Sequence, residues 1–218
     1  MKKIILIIMA VTLIGKHVNA QDVNRTDFRD KFLFGIKIGG NVSNIYDTRA
    51  ETFNTNPKTG FVTGMFLAVP IGKYIGVQPE LLFAQRGFKA KGTILGNTFD
   101  ITRTTDYIDV PLLFAFKPSE FFTIVMGPQF SYLIRRTDRF ANASTSIEQE
   151  TNFQNDSFLK NTMCLTGGFE FTLKHLVLGA RAGFDVRNNN RDGSSSTIQY
   201  KNVWYQGTVG VRFYRTKN

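Results

Sequence analysis

The stretch LVLGARAGFDVR, residues 176 to 187, decides the fold class. Its even-numbered members, Leu176, Leu178, Ala180, Ala182, Phe184 and Val186, are all apolar. The odd positions include Gly179, Arg181, Gly183, Asp185 and Arg187. A period of two marks a β-strand with one apolar face, because successive side chains point to opposite sides. Alternation alone leaves open what that face touches. It is either the core of a soluble barrel or sandwich, or lipid, with the charges and glycines turned inward.

The N-terminus bears on the choice. Lys2 and Lys3 precede an apolar run from Ile4 to Ile14, followed by Val18-Asn19-Ala20 with small residues flanking a cleavage point. That is the layout of a secretory signal. The run of 11 residues falls short of the roughly 20 that a spanning helix needs. Cleavage after Ala20 is expected, giving a signal peptide over 1–20, a short periplasmic lead segment over 21–31 and one barrel domain over 32–215. Loss of Lys2, Lys3 and Lys16 lowers the formal net charge from +10 to +7. No later segment supplies 18 uninterrupted apolar residues, so a mature chain in a membrane would have to cross it as a closed barrel. The one cysteine, Cys164, excludes an intramolecular disulfide and reads as a small inert side chain.

Eight segments share the alternation of the opening stretch. The first sets Phe32, Phe34, Ile36, Ile38 and Val42 against Gly35, Lys37, Gly39, Asn41 and Ser43. The second offers Phe61, Met65, Leu67 and Val69, with Val62 and Phe66 blurring its register. The third sets Ile75, Val77, Leu81 and Phe83 against Gln78, Glu80 and Arg86, and the fourth sets Ile108, Val110, Leu112, Phe114 and Phe116 against Asp109 and Lys117. In the fifth, Phe122, Ile124, Met126, Phe130, Tyr132 and Ile134 oppose Thr123, Gly127, Gln129, Ser131 and Arg135. In the sixth, Met163, Leu165, Phe169, Phe171 and Leu173 oppose Thr166, Gly168, Glu170 and Thr172. The opening stretch is the seventh. The eighth sets Val203, Tyr205, Val209, Val211 and Phe213 against Gln206, Thr208, Gly210 and Arg212.

None of these apolar faces carries a charge. Connection lengths then separate lipid from core. Short joints near Ile71-Gly72-Lys73, Lys117-Pro118-Ser119-Glu120 and Lys174-His175 alternate with long polar gaps at Ile45 to Thr59, Lys89 to Thr105, Arg136 to Lys160 and Asn188 to Lys201. Short turns at one end and long loops at the other, with an even strand number, describe an outer-membrane barrel. The expected fold is therefore an all-β, eight-stranded, antiparallel up-and-down transmembrane barrel. Inward glycines would leave room in its narrow interior. Pro79, Pro111 and Pro128 lie inside three of the strands, where bulges or strand ends are expected because proline lacks a ladder donor.

Several motifs are familiar. GIKIGGNVSNI, KTGFVTGMFLAVPIGKYIGVQPELLFAQRGFK, YIDVPLLFAFKP, FFTIVMGPQFSYLI and GGFEF resemble the PorT-like outer-membrane β-barrel family of Bacteroidetes, from about Phe34 to Phe213. The most specific pieces are VQPELLFAQRG and DVPLLFAFKP, and the family has prolines at both. The resemblance implies an eight-stranded outer-membrane fold and little about activity. The member that names the family is tied to secretion of cell-surface proteins, and no motif here carries that role across.

Catalysis has little support in the residues. Barrel hydrolases need a base near neutral pH, and the mature chain has one histidine, His175, in a short turn. A carboxylate pair such as Glu80 with Asp109 fits an ion-paired interior better than acid-base chemistry. No zinc spacing, nucleophile elbow or phosphate loop occurs, so no metal, cofactor or enzymatic activity is expected. The candidate site is instead an interior charge network of Glu80, Asp109, Glu170, Arg181, Asp185 and Arg212. Its enclosed charges would have to pair, plugging the barrel.

The basic balance raises the question of partners, with a solvated mixed-charge surface the favoured reading. Nucleic acid does not suit an exported chain, whereas lipopolysaccharide phosphates lie where Lys89, Lys91, Arg103, Arg135, Arg136 and Arg139 would emerge. Asp100, Asp106 and Asp138 mix into that surface, and the tripeptide Asn142-Ala143-Ser144 matches a glycan acceptor only as a short pattern. Three readings stay open. They are a monomeric, non-catalytic outer-membrane barrel acting through its loops or as a structural accessory, an accessory of a secretion or transport machine with an unidentified protein partner, and a soluble periplasmic barrel binding an apolar ligand.

Overall fold

The computed structural model describes residues 27–46, 55–94, 97–141, 146–151, 161–186 and 201–213. The expected signal peptide, the Asn142-Ala143-Ser144 motif and most of the long gap after Asn188 lie outside the described residues. Nine strands are formed among the described residues: β1 (Leu33–Tyr46), β2 (Thr55–Pro70), β3 (Ile75–Ile94), β4 (Asn97–Phe116), β5 (Phe122–Ala141), β6 (Ser146–Thr151), β7 (Asn161–Leu173), β8 (Leu176–Asp185) and β9 (Lys201–Phe213).

All pairings are antiparallel. Neighbours run β4-β3-β2-β1-β9-β8-β7-β5, and β4 pairs with β5 to close the ring. Eight strands thus make a closed barrel. The short β6 lies outside the ring and pairs only with the far end of β5, from Arg136 to Ala141. Closure leaves no free edge strand in the wall, as a chain crossing lipid requires.

The two faces of the wall differ as the alternation implies. Ile36, Ile38, Met65, Leu81, Leu112, Met126, Leu165, Leu178, Val209 and Val211 stand exposed on the outside. Aromatics flank them: Phe32, Tyr74, Phe121 and Phe213 toward the short turns, and Tyr46, Tyr132, Phe184 and Tyr205 toward the other end. Such a band with aromatic borders is that of an outer-membrane barrel. Lys37, Gln78, Glu80, Arg86, Asp109, Gln129, Glu170, Arg181 and Asp185 are buried inside. An apolar outside around a charged inside is the reverse of a water-soluble barrel, so the periplasmic ligand-binding reading falls away. The blurred second segment resolves in the same way: Phe61 and Met65 face out, while Val62 and Phe66 are buried inside.

Three expectations need correction. The gap from Lys89 to Thr105 is not a loop, because β3 and β4 continue through it to Ile94 and from Asn97, paired throughout. Part of the gap from Arg136 to Lys160 is likewise strand, in the outer end of β5 and in β6. Both stretches rise above the apolar band, so the contrast between greasy and polar faces that reveals a strand in lipid is missing there. The prolines cause no bulge. Registers run unchanged past Pro79, Pro111 and Pro128, and nearby ladder pairs lapse without shifting. The actual irregularities fall between Pro57 and Val62 and between Asp106 and Tyr107. At the second, Ile134 is the extra residue, and past it Arg135 is exposed instead of pointing inward.

Candidate functional site

Interior side chains gather in two charged layers. The layer nearer the short turns draws Lys37 from β1, Gln78 and Glu80 from β3, Glu170 from β7 and Arg181 from β8. The Lys37 Nζ donates to Glu80 Oε1 at 2.9 Å and to Glu170 Oε1 at 3.1 Å. Arg181 holds Glu80 with both terminal nitrogens, each at 2.7 Å, and also donates to Glu170. The Gln78 amide donates to Glu80 at 2.8 Å and to Glu170 Oε2 at 3.1 Å. Two cations and two anions share this layer, so it is neutral. Its four charged side chains are at most 5% exposed.

The second layer lies toward the far end and draws on β3, β4, β5, β7, β8 and β9. Arg86 pairs with Asp109 and donates to Ser131 Oγ at 3.4 Å. Its guanidinium sits 3.7 Å from the centre of the Trp204 ring and 4.9 Å from that of Tyr107. The Gln129 amide donates to Ser131 at 3.1 Å. Cys164 lies between Ser131, at 3.4 Å, and Asp185 Oδ1, to which its thiol donates at 3.2 Å. The backbone N–H of Asn202 donates to the other Asp185 oxygen at 2.9 Å.

Glu80, Glu170 and Arg181 therefore meet in one layer and Asp109 and Asp185 in the other. Arg212 belongs to neither. It lies at the short-turn end, where its Nε donates to Lys174 O at 2.7 Å and its guanidinium sits 5.5 Å from the Phe28 ring. Glu80 and Asp109 are likewise in different layers, each engaged by arginine. His175 is exposed in its turn, its Nδ1 3.0 Å from Arg212 O. Among the described residues no group of three or more His, Cys, Asp or Glu side chains is arranged to hold a metal.

Sequence reasoning had not singled out Trp204, Asn202 or the pairing roles of Lys37 and Arg86. Alternation places all four inside, but their partners come from distant strands. Trp204 also sits between Val203 and Tyr205, where an aromatic gives no contrast.

Below the layers, residues 27–32 cross the mouth of the barrel. Arg29 donates to Lys117 O at 3.5 Å and Pro118 O at 3.4 Å, and the Lys117 Nζ returns a bond to Arg29 O at 3.0 Å. Asp27 pairs with Arg29 at 2.7 Å and Lys73 at 3.3 Å. The Arg29 guanidinium holds the Asp27 carboxyl well below the usual carboxylate range. At the opposite end, Asp138 is held by Arg103 at 2.7 Å and Arg136 at 2.6 Å, and Asp106 by Arg135 at 3.0 Å.

Three solved structures align over nearly their whole lengths. Ail, the attachment invasion locus protein of Yersinia pestis, is 13% identical, with 84% of this chain and 99% of that chain covered and a TM-score of 0.45. OprG from Pseudomonas aeruginosa is 15% identical, with 85% and 98% covered and a TM-score of 0.45. Neisserial surface protein A is 10% identical, with 84% and 97% covered and a TM-score of 0.44. No curated protein is significantly similar to this chain in sequence. The family model described as outer membrane protein beta-barrel domain matches residues 19–189, reaching from before β1 to beyond β8. With that match added to the closed wall and its charged interior, the chain belongs to the outer membrane protein beta-barrel domain family.

Proposed function

We propose that this protein is a non-catalytic outer-membrane barrel with a plugged interior, acting at the cell surface through the sheet that rises from its tall end. Strand length carries the reading. The strands β3, β4 and β5 each run for 20 residues, whereas crossing the hydrocarbon takes only about 9–11. The excess of each strand stands beyond the bilayer, and β6 widens the sheet there. A hydrogen-bonded sheet presents its side chains in fixed rows, which suits recognition of a surface better than a loose loop does.

The outward face of that sheet clusters cations, with the exposed Asp100 opposite Lys91 as its acidic member. Lys89 and Arg139 are exposed and flank Thr102 across neighbouring strands, so the three share one face, with Lys91 one step further out. This face continues upward from the lipid-facing wall, at the height of lipopolysaccharide phosphates. We assign those phosphates as its contact, since cations beside a fixed anionic layer gain without any conformational change.

Orientation and contact are tested separately. A membrane-impermeant maleimide on intact cells should label Lys91→Cys and spare Lys73→Cys until lysis. The opposite pattern would invert the topology and remove the surface role. With the topology established, Lys89→Ser with Arg139→Ser should lower the lipopolysaccharide that co-purifies. Unchanged retention would discard the phosphate contact.

A further inference from the structure

The two interior layers differ in charge balance. The lower one sets Lys37 and Arg181 against Glu80 and Glu170. The upper one sets Arg86 alone, among the described residues, against Asp109 and Asp185, and all three are 1% exposed. Neither β1 nor β9 adds a charge here; β9 supplies Asn202 and Trp204. The inward Lys58 of β2 lies beside Gly87 with its Nζ turned to Thr59 O at 3.4 Å, and above the layer Arg103 and Arg136 are engaged by Asp138. With both carboxylates ionised the layer would carry one uncompensated negative charge. A buried charge without a partner costs far more than a protonation, so the group neutralises instead.

Hydrogen bonding shows where the compensation sits. Asp109 takes the Arg86 pair on Oδ2, while its Oδ1 and the Arg86 Nε find no partner. Asp185 is bonded by neutral donors only, the Cys164 thiol and the two nitrogens of Asn202. From Asp185 a chain of groups with exchangeable protons leads toward Asp109: Asp185 Oδ1 lies 3.2 Å from Cys164 Sγ, which lies 3.4 Å from Ser131 Oγ. Ser131 stands directly opposite Asp109 in the β4–β5 ladder. We propose that the upper layer holds one exchangeable proton, shared between Asp109 and Asp185 through the Ser131 and Cys164 bridge. The plug is then built of a fixed, ion-paired half and a half whose charge can change.

Infrared spectroscopy of the purified full-length protein tests this at neutral pH. One protonated-carboxyl C=O band is expected, moving to lower frequency on exchange into heavy water. Asp185→Asn leaves Arg86 with Asp109, and Asp109→Asn leaves it with Asp185, so each balances the layer and should abolish the band. Glu170→Gln, in the lower layer, should leave it in place. Absence of the band from the wild-type spectrum overturns the proposal outright, a result that needs no variant to fold. Survival of the band in Asp185→Asn overturns it equally.

Discussion

The indole of Trp204 fills the space above Gly183, its partner across the β8–β9 ladder, so closely that a Cβ on residue 183 would stand 2.4 Å from the ring. Gly35 and Phe66 repeat the arrangement across β1 and β2, with a Cβ 2.3 Å from that ring. Each glycine gives up a side chain so that an aromatic can lie inside a barrel too narrow to hold both. Gly183→Ala should therefore destabilise by about 1–3 kcal/mol through overpacking. Gly207→Ala is the control, since nothing lies within 4 Å of a Cβ there. Loss of the fast-migrating folded band on heating in detergent measures both, and equal midpoints would show that Trp204 moves aside freely.

Arg181→Ala strips the lower layer of one cation and leaves Glu80 and Glu170 with Lys37 alone. Breaking a buried pair from one side costs about 3–5 kcal/mol. Lys91→Ala, at an exposed position, should change stability by under about 0.5 kcal/mol. The same paired interior should keep wild-type protein from producing large conductance steps in a planar bilayer. Similar thermal midpoints for the two variants, or stable large steps, would mean a wet channel.

Cys164 has no exposed surface. Maleimide should leave the folded barrel unmodified for hours and react stoichiometrically once the protein is boiled in detergent. Rapid labelling of the folded form would place the thiol at an opening and undo the description of the upper layer.

The segment across the mouth depends on the Asp27 carboxylate. A carboxyl depressed in the folded state stabilises above its unfolded value, near pH 4, and that contribution fades as pH falls toward the lower folded value. Amide protection over residues 27–31, taken relative to intrinsic exchange at each pH, should hold at neutral and mildly acidic pH and fall only below about pH 4. Lys117→Met, which removes the bond to Arg29 O, should lower that protection at every pH. Protection that rises on acidification would contradict the ion pair's role.

Strand faces were legible wherever lipid and lumen sit on opposite sides of one strand, because each demands a different chemistry. The stretch from Leu176 to Asp185 kept its reading in full, with Leu178 and Phe184 outside and Arg181 and Asp185 inside. Above the bilayer the contrast turns over, with Lys89 and Lys91 outside and Ala90 buried inside, and the strand from Lys89 to Ile94 left no lipid-facing mark. Layer membership was not legible for a different reason. Glu80 and Arg181 are 101 residues apart, and which inward charge meets which depends on the stagger of the closed ring. No single strand records that stagger. At Arg135, one inserted residue in β5 shifted a charge to the exposed side.

The lapsed pairs beside the prolines lie together. The β2–β3 ladder skips Leu67 and Ala68, β3–β4 skips Glu80 and Leu81, and β4–β5 skips Leu112 and Leu113. By contrast, the first and last strands join without a break from Phe34 opposite Phe213 to Tyr46 opposite Lys201. The junction of the first and last strands is thus unbroken, and the slack lies between a quarter and half a turn away around the wall, within one contiguous piece of chain. When this barrel breathes it should part along that interior diagonal, with its terminal strands still clasped.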